Sequence, residues 1–163
     1  FSLELDEYNN LPDEVIISPS TDNLTISNNK NYNNSSNWKR SHGNHASNKF
    51  SNLKKINTEN IKDLQLAWTH DFDKNGDVQG NPIYFNGTIY MSSTDKSLVA
   101  LNAKDGDKNW EYKTDGMAAI RGLILSEENI PKIYFCDQIH LIALNALSGK
   151  GVKDFGKNGV PIR

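Results

Sequence analysis

A chain of 163 residues with 18 basic and 20 acidic side chains, a net charge of −2 and no long block of either sign has room for one ordinary globular domain. That balance excludes a nucleic-acid surface built on a basic stripe, and no run approaches the ~18 apolar residues a spanning helix needs. The single cysteine, Cys136, excludes an internal disulfide and any multi-cysteine metal site.

Residues 1–36 hold little apolar pattern and end in the Asn/Ser-rich run SNNKNYNNSSN, so they are expected to form a mobile leader. Residues 37–163 are expected to be the folded part. Within 37–66, Thr58 or Asn57 can cap a short helical turn that turns Ile61 and Leu64 inward. Leu66 to Thr69 alternates as a strand, and His70 to Asp77 follows as a polar turn between two repeats.

Pro82-Ile83-Tyr84-Phe85, Asn86-Gly87 and Thr88-Ile89-Tyr90-Met91 form the clearest hairpin, because Asn-Gly supplies the two positive φ angles of a type I′ turn. Ser97 to Asn102 and Lys108 to Lys113 are predicted as the third and fourth strands, joined across Lys104-Asp105-Gly106-Asp107. Gly122 to Ser126, Ile133 to Cys136 and His140 to Asn145 begin a second set. Cys136 is expected as a small buried strand residue and His140 as an outward one.

The two sets are copies. Leu98-Val99-Ala100-Leu101-Asn102-Ala103 aligns with Leu141-Ile142-Ala143-Leu144-Asn145-Ala146, and Gly106 with Gly149, at a constant offset of 43. Trp68 and Trp110 stand 42 apart, so a further repeat is expected to end at Trp68. A period of ~40–45 residues with short strands and Gly turns predicts an all-β partial propeller of four-stranded antiparallel blades. About two to three blades of an eight-bladed ring are expected, and the sequence is read as a fragment of a longer protein.

Several motifs invite chemistry. Asp71, Asp73, Asn75 and Gly76 reproduce the opening of an EF-hand loop, but the position of the closing Glu is Pro82. A solvated turn is the favoured reading there. His42 and His45 form an H-x-x-H pair without further ligands at metal spacing, so no metal is assigned to them. Arg121 follows the apolar run Met117-Ala118-Ala119-Ile120, where a guanidinium must snorkel or meet an anion. On pattern alone a structural salt bridge explains it best.

Taken in order, the motifs resemble the N-terminal part of the quinoprotein dehydrogenases, the pyrroloquinoline quinone (PQQ)-dependent alcohol and sugar dehydrogenases. The matching pieces are Asn37-Trp38 with Gly43, Phe50-Ser51-Asn52-Leu53, Ile56 to Leu64, Leu66-Ala67-Trp68-Thr69, Gln79-Gly80-Asn81-Pro82, the tryptophan-docking repeat through Gly106 and Trp110, Arg121-Gly122, and Asp154-Phe155-Gly156-Lys157-Asn158-Gly159-Val160. Two departures stand out. No adjacent cysteines precede Arg121, as they do in methanol-oxidising members, and Asn52 replaces the family proline.

The resemblance implies a dehydrogenase that oxidises an alcohol or aldose by hydride transfer to PQQ, with calcium polarising the quinone and a carboxylate as base. It implies cofactor contacts from Gln79 and Arg121, and places the calcium ligands and the base downstream of this chain. It also implies a periplasmic location, with membrane association open, and a quinone or cytochrome c as electron acceptor. The other reading is a non-enzymatic propeller of the same repeat type that serves as a protein-binding scaffold.

Overall fold

A computed structural model describes residues 36–44, 47, 49–78, 80–115, 122–137, 140–153, 155 and 160–161. The expected leader lies outside the described residues, apart from Ser36. The described chain forms two antiparallel four-stranded sheets, each with its strands side by side in sequence order. Blade 1 contains β1 (Ile83–Phe85), β2 (Thr88–Ser92), β3 (Ser97–Asn102) and β4 (Lys108–Lys113). Blade 2 contains β5 (Ile124–Ser126), β6 (Lys132–Cys136), β7 (His140–Asn145) and β8 (Val160–Pro161).

The hairpin that Asn86-Gly87 announced is present. Both residues take positive φ, 44° and 82°, and Ile83, Tyr84 and Phe85 pair with Tyr90, Ile89 and Thr88. β3 and β4 match the predicted strands residue for residue. The two sheets pack face to face by strand alternation. Ile83, Phe85, Tyr90, Leu98 and Ala100 of blade 1 meet Leu123, Leu125, Ile133, Phe135, Ile142 and Leu144 of blade 2. Each large side chain buried this way contributes about 1.5–3 kcal/mol.

Tryptophan docking is the second adhesive. The Trp110 Nε1–H donates to the Ala146 carbonyl at 2.9 Å, and a Cβ on Gly149 would stand 2.7 Å from the indole. One repeat earlier, the Trp68 Nε1–H donates to Ala103 at 3.1 Å, and a Cβ on Gly106 would stand 2.6 Å from its ring. The expected earlier repeat therefore does end at Trp68. It does not end in a strand. Residues 64–78 have no ladder partners among the described residues and bend at 73–74, and a strand assignment requires a neighbour to pair with.

Two local expectations are corrected. Residues 61–63 form one 3₁₀ turn, with the Asn57 side-chain oxygen accepting from the Glu59 and Asn60 amides. Its Ile61 and Leu64 are 57% and 58% exposed rather than turned inward, because nothing among the described residues packs over them. Cys136 is half-buried, since alternation along β6 sends Ile133 and Phe135 to the core and Cys136 to the opposite face. The 70–77 segment is mostly exposed, as expected of a solvated turn, and it is also pinned to blade 1. Its His70 and Phe72 are half-buried with their rings edge to face at 5.3 Å, His70 Nδ1 lies 3.1 Å from the Gly106 carbonyl, and Thr94 donates to the Lys74 carbonyl.

A four-residue strap, residues 37–40, ties the sheets together. The Trp38 amide and carbonyl pair with those of Tyr84 at 2.8 Å each, and the Leu125 amide donates to the Lys39 carbonyl at 2.9 Å. The edges of β1 and β5 must therefore converge on the strap, as the inner strands of adjacent blades do.

Candidate functional site

The strap also fixes direction. It runs antiparallel to β1 through Trp38–Tyr84 and antiparallel to β5 through Arg40–Ile124. β1 and β5 consequently run in the same sense, and both begin at one rim of the blade pair. Gly80 and Gly122 lead into them at that rim. Gln79 and Arg121, the two residues that carry the cofactor expectation, immediately precede these glycines in the sequence and lie outside the described residues. His45 and the Met117–Ile120 run do so as well.

Up-and-down connectivity brings two further turns to the same rim: β2 to β3, residues 93–96, and β6 to β7, around Asp137 and His140. In the first, the Ser93 hydroxyl donates to the Asp95 carboxylate, which holds that carboxyl below its ordinary range. Ser97, fully buried, donates its hydroxyl to Glu111 Oε1 at 2.8 Å, while Lys108 Nζ binds Glu111 Oε2 at 2.7 Å. The lysine first and the serine second lower the Glu111 pKa, and the same contact raises that of Lys108. The network borders a recess of about 140 Å³ that also touches Phe72 and Val99.

In the second turn, Asp137 is 2% exposed, and its Oδ1 accepts the His140 amide at 2.6 Å with His140 Nδ1 at 3.5 Å. His140 is half-buried against this carboxylate, where simple outward alternation was expected. Asp137 also helps to raise the Tyr112 pKa, behind the larger effect of burial. This carboxylate was missed in the sequence. The available signal was an Asp placed three residues before a strand's first amide, a common turn-capping arrangement.

A cavity of about 410 Å³ opens beside Asn81 and Pro82, the start of β1, with Trp38, Tyr84 and Ile89 on its walls. Its lining offers aromatic and aliphatic surface with the Ser41 hydroxyl and the Asn81 amide, and no cation. Among the described residues, no three His, Cys, Asp or Glu side chains converge as a metal site requires.

Comparison with known proteins gives concordant matches. A family profile described as "PQQ: Glucose/ethanol/alcohol dehydrogenase, beta-propeller domain" matches residues 38–161. The dehydrogenase subunit of alcohol dehydrogenase (quinone) from Gluconobacter oxydans is 36% identical over 110 residues, covering 63% of this chain and 14% of that protein. The crystal structure of quinohemoprotein alcohol dehydrogenase from Comamonas testosteroni superposes with a TM-score of 0.62 at 26% identity, over 75% of this chain and 20% of the other. A europium-containing methanol dehydrogenase gives 0.60 at 26% identity, over 71% and 22%. The chain thus spans less than a quarter of each of these relatives.

Proposed function

Since the chain belongs to the PQQ glucose/ethanol/alcohol dehydrogenase β-propeller family, we propose that it supplies one side of the cofactor pocket of a dehydrogenase oxidising an alcohol or an aldose. The observation that carries this reading is the common direction of β1 and β5, the strands that follow Gln79-Gly80 and Arg121-Gly122 in the sequence. PQQ, when bound, would supply a quinone that accepts a hydride, that is two electrons and one proton, from the substrate carbon.

The chain's own part is binding and orientation. Arg121 is assigned to an anionic or quinone oxygen through its planar fork of donors. Gln79 offers one donor and one acceptor without adding negative charge beside a tricarboxylate. The open cavity walled by Trp38 and Tyr84 provides apolar surface at the start of β1. A hard cation, calcium or a lanthanide such as the europium of the structural neighbour, is assigned to ligands outside this chain. The proposed location is the periplasm, to be checked by fractionation, and the acceptor is a quinone or cytochrome c.

Cofactor affinity tests the assignment. In the dehydrogenase that contains this chain, Arg121→Ala should raise the PQQ dissociation constant at least about tenfold, with Arg121→Lys intermediate. An unchanged constant in equilibrium titration would remove Arg121 from the site.

A further inference from the structure

The strap is joined to each blade by contacts of different chemistry, and the two anchorages are far apart in sequence. At the blade 1 end, Asn37 Oδ1 accepts the Asn86 amide at 3.0 Å, and Trp38 makes its two 2.8 Å backbone bonds to Tyr84. At the blade 2 end, the Lys39 carbonyl accepts Leu125 at 2.9 Å, and Lys39 Nζ meets Glu127 Oε2 at 2.9 Å. The strap is stiffened by a small hairpin of its own. The Lys39 amide donates to the Gly43 carbonyl at 3.0 Å and the Gly43 amide to Arg40 at 2.8 Å. Gly43, at φ +91°, lets the Trp38 ring lie flat on the backbone, where a Cβ would sit 3.3 Å from the indole.

We infer that this strap is a coupling clamp: it docks on the inner edges of both blades as one rigid unit, so that loosening either anchorage opens the other. The physical reason is continuity. Trp38 and Lys39 are adjacent residues, and the hairpin through Gly43 leaves no slack between the two ladders. Losing the blade 2 anchorage therefore frees the residues that pair with blade 1, and linkage makes the effect reciprocal. The clamp stands on described residues alone and does not depend on the cofactor reading.

Amide hydrogen exchange on the full chain tests it, at the Trp38, Tyr84 and Leu125 amides. Glu127→Lys sets two cations together at the blade 2 end. It should accelerate exchange roughly two- to fivefold, the scale of an exposed pair, at Leu125 and equally at Trp38 and Tyr84. Adding Lys39→Glu restores an opposite-charge pair and should restore all three rates. Asn37→Ala, at the opposite end, should accelerate Leu125 in return. Acceleration confined to the mutated end overturns the clamp. So does a uniform acceleration through β2, β3, β6 and β7, which would mean the contacts add only to global stability.

Discussion

At the residue scale, glycine and a few polar side chains decide what the repeat can do. Gly87 and Gly106 have nearly the same φ, 82° and 81°, yet different surroundings. A Cβ on Gly87 meets nothing within 4 Å, whereas one on Gly106 would overlap Trp68 at 2.6 Å. Gly87→Ala should therefore cost about 1 kcal/mol, from backbone conformation alone. Gly106→Ala should cost about 2–4 kcal/mol, because overlap is added to strain. Denaturant melts of the two variants check the difference. Glu111 gives a second residue-scale prediction. Glu111→Ala leaves the buried Ser97 hydroxyl without its acceptor and should cost about 1–3 kcal/mol. The folded pKa of Glu111 is lowered, so its ionised form contributes fully above the ordinary carboxylate range, and that contribution disappears as pH falls through the folded value. Glu111→Gln should accordingly flatten the stability profile below about pH 4.3. A profile parallel to that of the unmodified chain would contradict it.

At the element scale, one carbonyl of blade 2 receives two donors from blade 1. Ala146 O accepts the Trp110 indole at 2.9 Å and the Tyr90 hydroxyl at 3.2 Å, and the Ala146 residue is 1% exposed. The rings of Tyr90 and Trp110 also touch, with centroids 5.7 Å apart. Either donor alone keeps the carbonyl satisfied; losing both leaves a buried acceptor unpaired. Trp110→Phe and Tyr90→Phe should each cost about 1–3 kcal/mol, and the double variant more than their sum. A double-mutant cycle by thermal melting measures that excess, and strict additivity would show that the donors act independently. The same scale explains which elements were legible in the sequence. β3 and β4 were, because alternation and the Lys104–Asp107 turn bound them on both sides. Leu66–Thr69 carried as good an alternation and is not a strand, because pairing needs a neighbour that alternation cannot supply.

At the scale of the whole molecule, two blades and a docked third repeat end cannot close a ring. Phe50, Leu53, Ile56, Ile61, Leu64 and Leu66 are each more than half exposed, a run of apolar side chains without cover among the described residues. Such a surface favours association. The chain alone, given PQQ and calcium, should show no dehydrogenase turnover, since the general base is assigned elsewhere. Measurable turnover in a dye-reduction assay would overturn that assignment. The candidate site was only half legible. Gln79 and Arg121 came from motif resemblance, and nothing in their spacing showed that β1 and β5, the strands that follow them, start at one rim. Asp137 carried only the faint signal of its place three residues before the first residue of β7, and the 37–40 strap was not visible at all.

What the sequence determined by itself is the repeat: its offset of 43, its turns and its docking tryptophans. These are local or periodic features, fixed by side-chain alternation and by the backbone freedom of glycine. What only the tertiary structure decided is which distant edges meet. The strap reaches Tyr84 and Leu125 through backbone hydrogen bonds. Backbone amides and carbonyls are the same in every residue, so such pairing leaves no mark on side-chain identity, and the rim it defines had to be seen in three dimensions.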